Sequence, residues 1–185
     1  MLIITLLILL AGCGENYFPK PPGYFRIDLP EKEYTTFDSC CPFTFEYPVY
    51  SQILFDTSRA AERCWMNLNF PDFRGTIHLS YKPVSGNLNE YTEDSRTLAL
   101  KHIPKSSGIS TVQYTDTVRH VYGLVYQIAG SETASPCQFY VTDSTRHFIR
   151  GALYFNTVPN NDSLQPVIRF IREDIDHLLE TIRWE

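Results

Sequence analysis

Apolar and polar residues alternate with a period of two through much of this chain and switch twice to a period near 3.6, which predicts an antiparallel sheet with two main helices. Phe43-Thr44-Phe45-Glu46-Tyr47 alternates until Pro48 discourages continuation. The pattern repeats over Cys64–Phe70 and Thr76–Lys82 on either side of Pro71-Asp72-Phe73-Arg74-Gly75, a hairpin signature. Beyond the Lys105-Ser106-Ser107-Gly108 turn lie β-rich runs over Ser110–Arg119, Tyr122–Ile128 and Gln138–Phe155, the last broken near Asp143-Ser144. Tyr24–Asp28 reads as a first strand closed by Leu29-Pro30, with a polar connection from there to Cys40. The helical periods fall elsewhere. Asn87–His102 sets Leu88, Tyr91, Ser95, Leu98 and His102 on one side, with Asn87 available as N-cap. The final segment lines Leu164, Ile168, Ile171, Ile175, Leu178, Leu179 and Ile182 along one face, so it is expected to lie across the sheet. Asp162 and Gln165 form a capping-box pattern there, and Pro166 falls in the first turn, where its missing N–H removes little.

The N-terminus follows neither period. Leu2–Leu10 is apolar and ends in Leu10-Ala11-Gly12-Cys13, too short to cross a bilayer and closed by the small residues a signal peptidase accepts. The box resembles the bacterial lipobox, although no Lys or Arg precedes the apolar run. It implies a leader over residues 1–12, a diacylglyceryl group on the Cys13 thiol, and Cys13 as the mature N-terminus. Several fatty chains such as palmitate, at about 0.8 kcal/mol per buried CH₂, would hold the protein to a membrane without a spanning helix. Gly14–Pro22 carries Pro19, Pro21 and Pro22 with no apolar period, which predicts an extended, lipidated tether over residues 13–22. Residues 23–185 are then expected to form a single domain.

Composition suits that domain. Hydrophobic residues make up 43% and charged residues 20%, enough apolar material for one core, and the 12 Tyr and 12 Phe suit strands. A net charge of −5 without a Lys/Arg cluster excludes a nucleic-acid surface, which needs a basic stripe. Cys40, Cys41, Cys64 and Cys137 form an even set in a compartment that permits disulfides. Three pairings are possible. Neighbours Cys40 and Cys41 point to opposite sides of an extended chain. Cys41 with Cys64 is favoured, because both open strand-like apolar runs and a bridge would pin two neighbouring strand starts. A pairing of Cys40 with Cys137 stays open. No C-x-x-C or paired histidine suggests zinc.

Candidate chemistry is thin. Thr142-Asp143-Ser144-Thr145-Arg146-His147 puts acid, hydroxyl and imidazole close together. Triad members normally converge from separate loops, however, and no G-x-S-x-G elbow is present, so Asp143-Ser144 reads as a turn. His78, His102, His120, His147 and His177 make no H-E-x-x-H or H-x-H pair. Asn160-Asn161-Asp162-Ser163 lacks the spacing of a calcium loop and suits a helix cap. Glu173, Asp174, Asp176 and Glu180 are expected on the solvated side of the last helix. No Gly-rich loop opens a helix to cradle phosphate. Neither cofactor nor metal is indicated, and no enzymatic activity is expected.

The element order, two hairpin-like units about a central helix and a terminal amphipathic helix, predicts an α+β fold in which helices pack an antiparallel β-sheet. It resembles the Mog1/PsbP-like sandwich. Longer phrases resemble the gliding motility lipoprotein GldD family: Pro19-Lys20-Pro21 with Gly23-Tyr24-Phe25-Arg26, Cys41-Pro42-Phe43 with Phe45-Glu46-Tyr47-Pro48, and Cys64-Trp65. Ile77-His78-Leu79-Ser80-Tyr81-Lys82, Leu98-Ala99-Leu100-Lys101-His102, Thr142-Asp143-Ser144, His147-Phe148, and Arg150-Gly151-Ala152-Leu153-Tyr154-Phe155 continue the match. Pro159-Asn160 and Asp162-Ser163-Leu164 close it. The resemblance implies a membrane-anchored lipoprotein required for gliding, linked to type IX secretion, with gliding or secretion proteins as partners and no agreed catalytic residues. Gly14-Glu15-Asn16 lacks a Lys followed by acidic residues, the pattern resembling a surface-export tag, so a periplasm-facing domain is expected, on the outer or the cell membrane. The alternative is a periplasmic enzyme or ligand binder acting on an envelope substrate such as peptidoglycan, with Asp143, Ser144 and His147 as its compact polar cluster.

Overall fold

A buried carboxylate on the last helix organises one side of the molecule. The computed structural model describes residues 27–185. Its strands are β1 (Tyr34–Phe37), β2 (Phe43–Pro48), β3 (Gln52–Phe55), β4 (Met66–Phe70) and β5 (Gly75–Pro83). After helix α1 (Leu88–Leu100) come β6 (Gly108–Asp116), β7 (Val121–Ala129), β8 (Cys137–Thr142) and β9 (His147–Phe155), then helix α2 (Asn161–Thr181) and the short β10 (Arg183–Trp184). Seven strands form an antiparallel sheet in the order β3-β4-β5-β9-β8-β7-β6, and β1-β2-β10 form a smaller one. The expected α+β architecture, helices on an antiparallel sheet, is the one found.

Alternation decides the two faces of the large sheet. Met66, Leu68, Phe70, Ile77, Leu79, Phe139, Val141, Ile149 and Leu153 point one way and are almost wholly buried. Ile171, Ile175, Leu178 and Leu179 of α2 close over them, with Phe43 and Phe45 of β2. Truncating one of these phenylalanines to Ala would cost about 3–5 kcal/mol. Gly151 makes room within this layer: a Cβ there would stand 2.1 Å from the Phe139 ring of its register partner. The opposite face carries a smaller cluster, in which Ala99 of α1 meets Tyr126 and Ile128.

Several local expectations are corrected. The strand expected over Tyr24–Asp28 does not form in its described part, since Ile27 and Asp28 are irregular; residues 24–26, like the leader and tether of residues 1–22, lie outside the described residues. The first strand is β1, in the stretch read as a polar connection, where Tyr34–Phe37 pairs with Pro48–Phe45 of β2. β3 was not foreseen, because four residues are too few to show a period. Asn87 holds the N-cap position of α1 but makes no side-chain cap bond: its Oδ1 accepts from Ser85 N–H at 2.9 Å and its Nδ2 donates to the Tyr91 hydroxyl at 2.9 Å. Leu98 is exposed, and the buried face of α1 runs through Ser95 and Ala99. The α2 cap is Asn160, whose side chain accepts from Ser163 N–H at 3.4 Å, not the Asp162/Gln165 box.

Asp174 departs furthest from its expected solvated position, with a side-chain exposure of 0%. Lys32 Nζ lies 2.6 Å from Oδ1 and also donates to the Phe170 carbonyl at 2.6 Å. The Tyr50 hydroxyl stands 2.8 Å from both carboxylate oxygens, and that of Tyr34 donates to Oδ1 at 3.1 Å. Lys32 Nζ sits 3.4 Å from the centre of the Phe170 ring, a close cation–π contact. Burial pushes the Asp174 carboxyl up, against the opposing pull of Lys32 and the two hydroxyls. At the far end of α2, Arg119 Nη1 donates to the Leu179 and Ile182 carbonyls, both at 3.3 Å, satisfying orphan acceptors of the helix terminus.

Asp174→Ala removes the acceptor shared by Lys32 and two tyrosine hydroxyls, leaving Lys32 the Phe170 carbonyl and the more distant Glu173, so equilibrium urea unfolding is expected to show a loss of about 3–5 kcal/mol; a loss below about 1 kcal/mol would show the cluster to be peripheral. Replacing both Cys41 and Cys64 by Ser opens a loop of sequence separation 23 and is expected to lower stability by about 3 kcal/mol in the same measurement.

Candidate functional site

The cluster that looked most like chemistry lies in the turn between β8 and β9. Asp143 Oδ1 accepts from the backbone N–H groups of Thr145 at 3.0 Å, Arg146 at 2.8 Å and His147 at 2.8 Å, and Oδ2 accepts from the Thr145 hydroxyl at 2.8 Å. Ser144 takes a left-handed backbone, φ 70°, and its N–H donates to the Thr142 hydroxyl at 2.9 Å. Burial opposes ionisation of Asp143, but the converging amides outweigh it and hold the carboxyl at about 2. Four residues thus make a tight Asx-type turn around one carboxylate.

His147 is 5% exposed. Its ring stacks on Trp184 with centroids 5.4 Å apart and planes 6° from parallel, and Nδ1 lies 3.0 Å from the Tyr81 hydroxyl. The Tyr81 ring in turn packs against Phe43 at 5.5 Å. Burial lowers the imidazole below its usual range, so it is neutral at pH 7. Asp143 therefore meets His147 at its backbone amide and not at its ring, while Ser144 is exposed on the turn. Acid, hydroxyl and imidazole are neighbours that do not form a relay.

The other singled-out residues are dispersed. Cys13 lies outside the described residues. Cys41 and Cys64 are joined by a disulfide with Cα atoms 5.7 Å apart, which ties the start of β2 to the entry of β4. Cys40 is exposed and free; Cys137 is free and buried, and burial pushes its thiol up to about 12, which leaves it unreactive. His177 Nε2 lies 2.7 Å from Glu46 Oε2 and its ring stacks on Tyr34 at 3.6 Å. The His120 carbonyl accepts from Trp184 Nε1 at 3.0 Å, and His78 and His102 flank Tyr154. Asn161, beside the cap, is buried and donates to the Gly130 and Thr133 carbonyls at 2.9 and 2.8 Å. Glu173, Asp176 and Glu180 are exposed. Among the described residues no three His, Cys, Asp or Glu side chains converge as metal ligands.

Two groups escaped sequence reasoning. Asp174 is three residues from Ile171 and four from Leu178, so its place on the apolar stripe was visible in the spacing, although its partners were not. Arg150 alternates with Phe148, Ala152 and Tyr154 on the α1 side of β9, the one charge in an otherwise apolar and aromatic set. Among the exposed apolar side chains, Leu54 and Phe55 lie on edge strand β3 and Val112 on edge strand β6, with others such as Val118 and Val158 in loops.

These features define a PsbP-like α+β domain whose Asp143, Ser144 and His147 are engaged in a turn and a ring stack, and whose large sheet ends in β3 and β6 among the described residues. The fold is similar to the solution structure of cyanobacterial PsbP (CyanoP) from Synechocystis sp. PCC 6803, with a TM-score of 0.52 and 9% identity over 96% of this chain and 99% of that one. At that identity the likeness is one of fold alone. The chain belongs to the gliding motility lipoprotein GldD family, whose model matches residues 14–184. No curated protein matches the sequence. Membership makes it a membrane-anchored envelope lipoprotein of gliding motility. No helix among the described residues is long and apolar enough to cross a membrane.

Because the Asp143 carboxyl is depressed below its unfolded value, its contribution to stability is complete above about pH 4 and is lost as the pH falls towards about 2. Asp143→Asn is expected to flatten that part of the acid limb and to cost on the order of 2 kcal/mol at neutral pH, measured by denaturant unfolding across the range. A variant whose acid limb parallels that of the parent chain would contradict this role.

Proposed function

We propose that this protein is a non-catalytic interaction or assembly component of the gliding apparatus, linked to type IX secretion, held by lipid on Cys13 with its folded domain facing the periplasm. Family membership over residues 14–184 carries the reading. The state of the β8–β9 turn supports it. A hydrolase needs a base whose ring is oriented by an acid and aimed at a nucleophile, and here Asp143 serves backbone amides while the His147 ring is enclosed by Trp184 and Tyr81.

The surface supports it too. Each end of the large sheet presents a row of backbone donors and acceptors, the chemistry by which an added strand docks. β6 is long, with Val112 49% exposed, and carries no Lys or Pro to discourage pairing. Phe55 and Leu54 give the other edge an apolar character, at 47% and 53% exposure. Partners among the gliding or secretion proteins would be captured by such edges and not turned over.

Cys13→Ala is expected to move the protein from the membrane fraction to the soluble fraction and to abolish gliding. Chemical cross-linking of intact cells followed by mass spectrometry is expected to capture motility or secretion components reproducibly. External protease is expected to leave the domain intact until the outer membrane is permeabilised. Full motility of the unlipidated variant, or cleavage in intact cells, would overturn the corresponding part of the reading.

A further inference from the structure

We propose that the side of the large sheet that carries α1 holds a binding site for an oxyanion group, a carboxylate or phosphate, centred on the Arg150 guanidinium and walled by His78, His102 and Tyr154. Antiparallel register brings these residues together. Arg150, Ala152 and Tyr154 of β9 share a face, with Ser80 of β5 opposite Arg150 and His78 opposite Ala152. On the other flank Tyr140 and Gln138 of β8 stand opposite Arg150 and Ala152. α1 lies over β8 and β9, and His102 follows just beyond its C-terminus. Over β4 and β5 the cover stops: His78 is exposed, and Asn67, Thr76 and Ser80 are partly so.

Arg150 lacks a counter-charge. Its Nη2 donates to Gln138 Oε1 at 2.7 Å, and among the described residues no carboxylate lies within 4.0 Å of it. Burial lowers the affinity of the guanidinium for its proton, and beyond the Gln138 contact its remaining donors have no protein acceptor among the described residues, while the residue is only partly buried and so open to an incoming acceptor. Gln138, 1% exposed, has its oxygen engaged by Arg150 while its Nε2 is a buried donor with no partner. The two side chains form a donor-rich corner on a chain whose net charge is −5, a local reversal of sign that focuses anions.

The walls agree in chemistry. The His78 and His102 rings lie 5.7 and 6.4 Å from the Tyr154 ring, and His78 Nδ1 lies 2.6 Å from Asn67 Oδ1. Burial lowers both imidazoles and the Arg150 charge lowers them further; Asp56, facing His78 from the end of β3, pulls that one partly back. An oxyanion on the Arg150 fork supplies the missing acceptor and the missing negative charge together, and the planar fork matches carboxylate or phosphate oxygens in a way that a lysine does not.

The test is an NMR titration of the full chain in non-ionic detergent with acetate and, separately, inorganic phosphate at constant ionic strength, reading the imidazole resonances of all five histidines. Saturable shifts are expected at His78 and His102, with both pKa values raised by the bound anion, while His147 and His177 stay still. Arg150→Gln and the charge-conserving Arg150→Lys are each expected to weaken binding about tenfold or more. His78→Gln, at an exposed position that leaves the fold intact, keeps the test decisive if the Arg150 variants unfold. Saturation by acetate alone assigns a carboxylate ligand and by phosphate alone a phosphate ligand. Shifts that do not saturate, or that persist unchanged in the variants, would overturn the proposal. The readout does not depend on lipidation or on any partner, so its failure would leave the assembly role untouched.

Discussion

A carboxylate with no access to water has to be surrounded by donors, and in this protein the donors needed by Asp174 come from segments far apart in the chain. Lys32 approaches from the stretch before β1, Tyr34 from β1 itself and Tyr50 from the turn before β3, all meeting one oxygen pair on α2. The unpaired alternative costs several kcal/mol, so the arrangement allows α2 one place over the core and the small sheet one place beside it. Phe170 extends the same contact, with its carbonyl accepting from Lys32 and its ring beneath the ammonium. Lys32 also stands in the chain between Cys13 and the first strand.

The two clusters with the look of chemistry differ in whether their charged group is already satisfied. Around Asp143 the carboxylate oxygens have their donors, and the imidazole of His147 is enclosed by aromatic rings, where its Nε2 is left without a partner. Around Arg150 the balance is left open, with a partly buried guanidinium that has no counter-charge and a buried Gln138 amide nitrogen without a partner beside a less covered stretch of sheet. Unsatisfied buried donors are rare in native proteins and call for an acceptor that the chain itself does not provide. This contrast separates a structural turn from a binding corner, although sequence proximity favoured the turn.

Much of the fold was legible because it rests on period. The alternation in Phe43–Tyr47, the paired runs around Pro71–Gly75 and the stripe from Ile168 to Ile182 each correspond to an element found in place. Legibility failed where an element is short or its stabilising partner is distant. β1 and β3 have four residues each, and Tyr34–Phe37 becomes a strand only because Pro48–Phe45 lies alongside to complete its hydrogen bonds. Caps were legible by position only: Asn87 and Asn160 both stand at N-cap positions, but Asn87 turns its side-chain oxygen to Ser85 and only Asn160 turns it into its helix.

By itself the sequence determined the alternation that makes strands, the apolar stripe that makes α2, the lipobox-like segment ending at Cys13 and the phrases shared with a gliding-motility family, because each depends on residues close together in the chain. Which charges would be buried was decided only by the tertiary structure. Asp174 and Asp143 are both acidic residues among polar neighbours in sequence, yet one becomes the keystone of a long-range latch and the other a turn, while Arg150 is left facing a gap. The physical reason is that a charge is stabilised by whatever donors or acceptors replace its water, and for these residues chain folding alone sets which groups are near.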